Sequence, residues 1–175
     1  LFSLNLIASN KYPSLFKINF KWFLSLPISS YLIKFAFETL NIGVEIQEFV
    51  EPNLKDDEIE NLVYEYEKLL KNFSHIKSLH GPFLDLKPAS PDRDIRNISY
   101  KKYLRTLEIA RELDMDYVIF HSQINPWLNE PYIKSLNNNQ NKDFWHHILE
   151  DIKGFKGQIV LENIFEDDPL ILKEL

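Results

Sequence analysis

The segment Ser78-Leu79-His80-Gly81-Pro82-Phe83 sets an imidazole at the end of an apolar run, directly before two residues that break regular backbone. Gly81 admits close approach of other chain segments, and Pro82 fixes φ and lacks an N–H, so a strand ending at His80 leaves its sheet abruptly. Two later apolar runs carry similar groups at their ends: "YVIFH" closes on His121 and "IVLEN" contains Glu162. Two imidazoles and a carboxylate form a ligand set suited to zinc, manganese or iron. With no cysteine in the chain, a metal has to be held by nitrogen and oxygen. Glu162 shares its strand face with Val160 and Ile164, and a carboxylate desolvated there needs a partner or an ion.

The remaining polar candidates are weaker. In "GVEIQEF", Glu45 and Gln47 alternate with Val44 and Ile46, which directs the polar pair to one face. That pattern leaves open whether they bind substrate or each other. His146 and His147 are neighbours on a helix, point in different directions and are expected on the surface. His75, near a helix end, reads as a cap favoured by the carbonyl dipoles. Asp85 and Asp92, in the loop after His80, read as solvated loop residues.

Such groups need elements to bring them together. Strands are expected at 2–8, 44–49, 76–80, 117–121 and 159–163, with two helical segments within 14–40. A helix follows Asn53 as N-cap, with Asp56, Asp57 and Glu58 in its first turn and Ile59, Leu62, Val63, Tyr66, Leu69, Leu70 and Phe73 on one face. A second carries Tyr100, Tyr103, Leu104, Leu107, Ala110 and Leu113, and a shorter third carries Phe144, Trp145, Ile148, Leu149 and Ile152. The polar "NNNQN" at 137–141 reads as a solvent loop. Strand alternating with helix predicts an α/β fold with a parallel sheet. His80 and His121 lie 41 residues apart, as do His121 and Glu162, while Glu45 and His80 lie 35 apart. So even a period suits a (β/α) barrel, whose strand C-termini share one rim. A doubly wound sheet is the rival arrangement, weakened because no Gly-rich phosphate loop follows any strand and only 4 glycines occur.

The 175 residues, 45% of them hydrophobic, suffice for one packed domain. A net charge of −6 argues against a broad nucleic-acid surface. No uncharged apolar run approaches the ~18 residues of a membrane span, and a cytoplasmic location fits a chain without cysteine. The opening "LFSLNLIASN" lacks a basic leader region and an initiating methionine, and reads as an internal strand.

Taken together, "GVEIQEF", "SLHGPFLDLKPASPDRDIR", "YVIFHS" and "IVLEN" resemble the xylose isomerase-like TIM-barrel superfamily, which includes sugar phosphate isomerases and epimerases and endonuclease IV. The likeness spans roughly residues 43–165, and its most specific piece is His80-Gly81-Pro82. It implies a partial (β/α)8 TIM barrel of about five parallel strands with outer helices, residues 1–175 forming one incomplete domain. It also implies that Glu162 is the metal-binding glutamate of the fifth strand, for a divalent ion, zinc or manganese. His80 and His121 would be rim histidines, which bind the metal in the endonuclease branch and often serve the substrate in isomerases and epimerases. Glu162 would serve as proton carrier, with Glu45 and His80 facing a small sugar or polyol substrate. The family barrel has eight strands and takes further ligands from strands six to eight, whereas this chain stops in what reads as the fifth helix. A fragment or truncated product is therefore expected, self-associating through open sheet edges. The activity implied is isomerisation or epimerisation of a sugar or sugar phosphate through an enediolate. The alternatives are an endonuclease IV-like zinc phosphodiesterase, the one reading with a nucleic-acid partner, and a noncatalytic remnant. Against the endonuclease, "FHSQ" lacks the His-Pro-Gly turn of that branch.

Overall fold

A computed structural model of the chain describes residues 15–18, 39–41, 43–124, 128 and 130–162. Its sheet has five strands in the order β1-β2-β3-β4-β5: β1 Leu15–Ile18, β2 Gly43–Ile46, β3 Lys77–His80, β4 Tyr117–His121 and β5 Gln158–Glu162. Every neighbouring pair is parallel. Among the described residues three helices supply the crossovers from β2 onward: α1 Asp56–Leu70, α2 Arg93–Glu112 and α3 Pro131–Asp151. The α/β architecture expected from the alternating pattern is thus present.

Register explains the two faces of the sheet. Glu45 pairs with Ser78, Ser78 with Tyr117 and His80 with Ile119, and Ile119 with Val160 and His121 with Glu162. Paired residues of parallel strands share a face, and successive residues alternate. One face therefore presents Glu45, Ser78, His80, Ile119, His121, Val160 and Glu162. The other presents Val44, Ile46, Leu79, Val118 and Phe120, all buried in the apolar core.

The helices pack on that apolar face. Val63, Tyr66 and Leu70 of α1 are buried, as are Tyr103, Leu107 and Ala110 of α2. Tyr103 stacks on Phe120 at 4.4 Å between ring centroids, and Phe144 and Trp145 of α3 close edge-on around Tyr103. Burying apolar surface at about 25 cal/mol per Å² makes this layer the main source of stability. It anchors the crossovers that set the strand ends side by side.

Several expectations about elements need correction. Residues 15–18 form a strand where helix was expected; a four-residue run has too little periodicity to separate the two states, and pairing with β2 decides. The strand expected at 2–8 lies outside the described residues. Helix α3 runs 21 residues and absorbs the asparagine tract expected as a loop. Each asparagine costs at most about 0.7 kcal/mol of helix propensity. Against that, Asn141 is fully buried, its Nδ2 donates to Asn137 Oδ1 at 3.3 Å, and Phe144, Trp145 and Ile148 pin the helix to the core. Pro131 opens the helix, its missing N–H costing nothing there. Leu149, expected on the apolar face of that helix, is exposed. The N-cap of α1 is Lys55, whose N–H donates to Glu58 Oε2 at 2.9 Å. Asn53 bonds Glu51 instead.

Candidate metal centre

β3 ends on a histidine because the next residue cannot carry a side chain. A Cβ at Gly81 would lie 2.2 Å from the Phe120 ring, and the Gly81 N–H donates to Ile119 O at 2.7 Å. The strand is thereby pressed against β4 at the position of its histidine. Pro82 follows, and the chain turns away. β4 ends on His121 and β5 on Glu162, directly opposite each other. The Ser122 N–H donates to Glu162 O at 3.2 Å, continuing the ladder past the histidine.

By register His80 lies one inward-facing row short of His121 and Glu162, a step of roughly 6.6 Å along a strand. Strand tilt in a barrel-type sheet offsets this, because a level line across tilted strands climbs in register. The three side chains accordingly meet: one ligand atom of each lies within 4.8 Å of the others. Glu162 Oε2 stands 3.5 Å from His80 Nε2 and 3.6 Å from His121 Nε2. Those separations exceed the 2.7–3.2 Å range of N–H···O hydrogen bonds. They are close to the edge of a tetrahedron of ligands around an ion, roughly 3.4 Å for bonds of about 2.1 Å.

The orientation of His80 also suits a ligand. Its Nδ1 lies 2.8 Å from Gly81 O. A carbonyl only accepts, so Nδ1 donates to it, and Nε2 is the nitrogen directed toward Glu162. The imidazoles stand at 85° to each other with centroids 5.2 Å apart. Side-chain exposure rises from 4% at His80 to 17% at His121 and 39% at Glu162, so the centre opens to solvent on the carboxylate side. The donor set and spacing fit a divalent ion.

The other sequence candidates sit elsewhere. Glu45 is buried, and Gln47 Nε2 donates to its Oε1 at 2.8 Å. Its neighbour Glu48 turns the other way, accepting from the Tyr66 hydroxyl; burial, reinforced by Glu48, pushes that hydroxyl well above the usual tyrosine range. Asp92 is exposed, as expected, and in addition caps α2, accepting from Asp94 N at 2.8 Å. Asp85 is exposed, as expected. His146 and His147 are exposed on α3, His146 beside Glu150 and His147 beside Asp143 O. His75 lies beyond the end of α1 and packs edge-on against Phe73, so it does not cap that helix. Phe83 is a site neighbour that the motif reading misses. It stacks on His121 at 4.4 Å and 21° and meets His80 edge-on at 5.6 Å. Its place next to the His-Gly-Pro segment was the available signal.

No family model matches the chain. It is 31% identical over 86 residues to an uncharacterized protein of Methanocaldococcus jannaschii, covering 49% of this chain and 29% of that one. Among solved structures, a Thermus thermophilus protein from a crystal soaked with ZnCl2 superimposes with TM-score 0.68 at 20% identity, over 92% of this chain and 62% of its own. A D-tagatose 3-epimerase-like protein gives 0.60 at 26%, over 75% and 50%. D-psicose 3-epimerase of Clostridium cellulolyticum with D-tagatose gives 0.55 at 17%, over 83% and 50%. The epimerase-like protein and the epimerase are named for sugar epimerisation, and the fold is that of the xylose isomerase-like TIM-barrel type, as the motifs implied. The chain spans only about half to two-thirds of the length of these three neighbours. Among the described residues no helix is long and apolar enough to cross a membrane.

Proposed function

We propose that this chain, residues 1–175, is a single incomplete barrel domain of a metal-dependent sugar or sugar phosphate isomerase or epimerase working in the cytoplasm. The observation that carries this reading is the convergence of His80, His121 and Glu162 at the ends of three adjacent parallel strands. His80, His121 and Glu162 hold zinc or manganese. The ion, when bound, polarises a carbonyl and its neighbouring hydroxyl and so lowers the cost of an enediolate. Glu162, the most exposed of the three, also moves the proton at the substrate carbon. His80 borders both ion and sugar, and Glu45, held by Gln47, accepts from a sugar hydroxyl deeper on the same face. The epimerase neighbours support this choice of chemistry.

Calorimetric titration with Mn²⁺ or Zn²⁺ tests the first half, with one site per chain expected. Proton NMR in D2O tests the second: with D-tagatose, D-psicose and D-fructose, the complete gene product loaded with metal should exchange the proton next to the carbonyl for deuterium. Absence of both a stoichiometric site and exchange would sink the reading.

A further inference from the structure

We infer that Phe83 is a positioning residue for this centre: a flat ring set against both imidazoles that fixes the ring of His121 and the angle between His121 and His80. For its effect on metal affinity this role rests on the metal-binding reading above; for ring orientation it rests on geometry alone. His80 is oriented by Gly81 O through its Nδ1. His121 has the face of an aromatic ring laid against it, 4.4 Å away and nearly parallel. The terminal torsion of histidine is broad and two-fold, so an imidazole keeps one direction only when its surroundings hold it. A phenyl face is well shaped for that, because it resists rotation of the stacked ring without competing for its nitrogens.

Phe83 is itself held from both strand exits. On its own side, Pro82 restricts the backbone immediately before it, and Gly81 is packed on Phe120. From the other side, Gln123 Nε2 donates to Phe83 O at 3.0 Å. Gln123 follows closely after His121 and adopts a left-handed backbone, φ 55°, uncommon for a residue other than glycine. The arrangement is reciprocal: the exit of β4 ties down Phe83, and Phe83 orients the histidine of β4. Phe83 carries no group that ligates an ion or moves a proton, and acts through His121.

The test compares Phe83→Leu, which keeps apolar bulk but removes the flat face, with Phe83→Tyr, which keeps it. In the metal-free chain with labelled histidine, His121 should show one ring conformation shifted by the Phe83 ring current. Phe83→Leu should abolish that shift and average the ring, and Phe83→Tyr should preserve both. With Co²⁺ bound, Phe83→Leu should weaken affinity about tenfold and change the visible ligand-field bands, with Phe83→Tyr restoring them. Gln123→Met unties the Phe83 carbonyl while leaving the ring, and should move the same signals by less; it decides the matter if Phe83→Leu does not fold. Unchanged His121 signals and unchanged cobalt spectra in a folded Phe83→Leu chain would overturn the inference. A wild-type chain that binds no Co²⁺ yet keeps His121 ordered, with that order lost in Phe83→Leu, would refute the metal reading and uphold the positioning role.

Discussion

The molecule contains two histidine pairs that differ in almost every respect except chemistry. His146 and His147 adjoin in sequence, yet their ring centroids lie 6.2 Å apart on the exposed side of α3. Each is engaged with its own helix, through Glu150 and through Asp143 O. His80 and His121 are 41 residues apart in sequence, yet their centroids are 5.2 Å apart and a single carboxylate oxygen faces both. Neighbouring helical residues diverge by about 100° around the axis, whereas residues at the ends of adjacent parallel strands are delivered to the same face. Proximity along the chain is therefore a poor guide to a shared ligand site. Equivalent positions in a repeated strand-helix unit are a better one.

The comparison is broken most directly at Glu162. Glu162→Gln should lower affinity for Zn²⁺ or Mn²⁺ by about 100-fold or more and remove most turnover in the complete gene product, while far-ultraviolet circular dichroism stays unchanged. Retained affinity in a titration would make the pair on the strands no more special than the pair on the helix.

Gly81→Ala tests whether the close approach of β3 to β4 matters. The added Cβ would meet the ring of Phe120, a core residue stacked on Tyr103 and unable to yield cheaply. Denaturant unfolding should show a loss of about 1–3 kcal/mol, and metal binding should weaken because His80 is displaced.

A smaller effect concerns the anchoring of α3 itself. Tyr100 of α2 donates to Asp151 at the end of α3, and its hydroxyl is pushed up to about 12 by burial first and then by the Asp151 interaction. The folded chain then holds this proton more tightly than the unfolded one, so the contribution is full below pH ~10 and is lost as pH rises from about 10 to 12. Stability measured across that window should fall, and Tyr100→Phe should make the fall shallower. An unchanged slope would show that the link between the helices is not protonation-dependent.

The smallest effect is expected at the other histidine pair. The double change His146→Ala and His147→Ala should leave metal affinity unaltered and shift stability by no more than about 0.5 kcal/mol. A clear loss of bound metal in that variant would reverse the contrast between the two pairs.

Much of this contrast was legible before any coordinates. Alternation in "GVEIQEF" and the even spacing of His80, His121 and Glu162 placed these residues on one face of a parallel sheet, and period-3.6 patterns located α1 and α2. Where local signal was thin, neighbours decided. The four residues of β1 carry no period that excludes a helix, and the asparagine tract of α3 is helical because buried aromatic residues downstream hold it. Lys55 displaced Asn53 as a cap because the bond from its N–H to Glu58 starts the helix later.

By itself the sequence determined residue type, period and face, since side-chain direction alternates along any strand regardless of what surrounds it. Only the tertiary structure decided that the carboxylate stands almost equally far from two imidazoles, that Gly81 O orients the ring of His80, and that Phe83 lies flat on His121. Those relations depend on the twist and tilt of neighbouring strands and on packing across about forty residues of intervening chain, which no local pattern encodes.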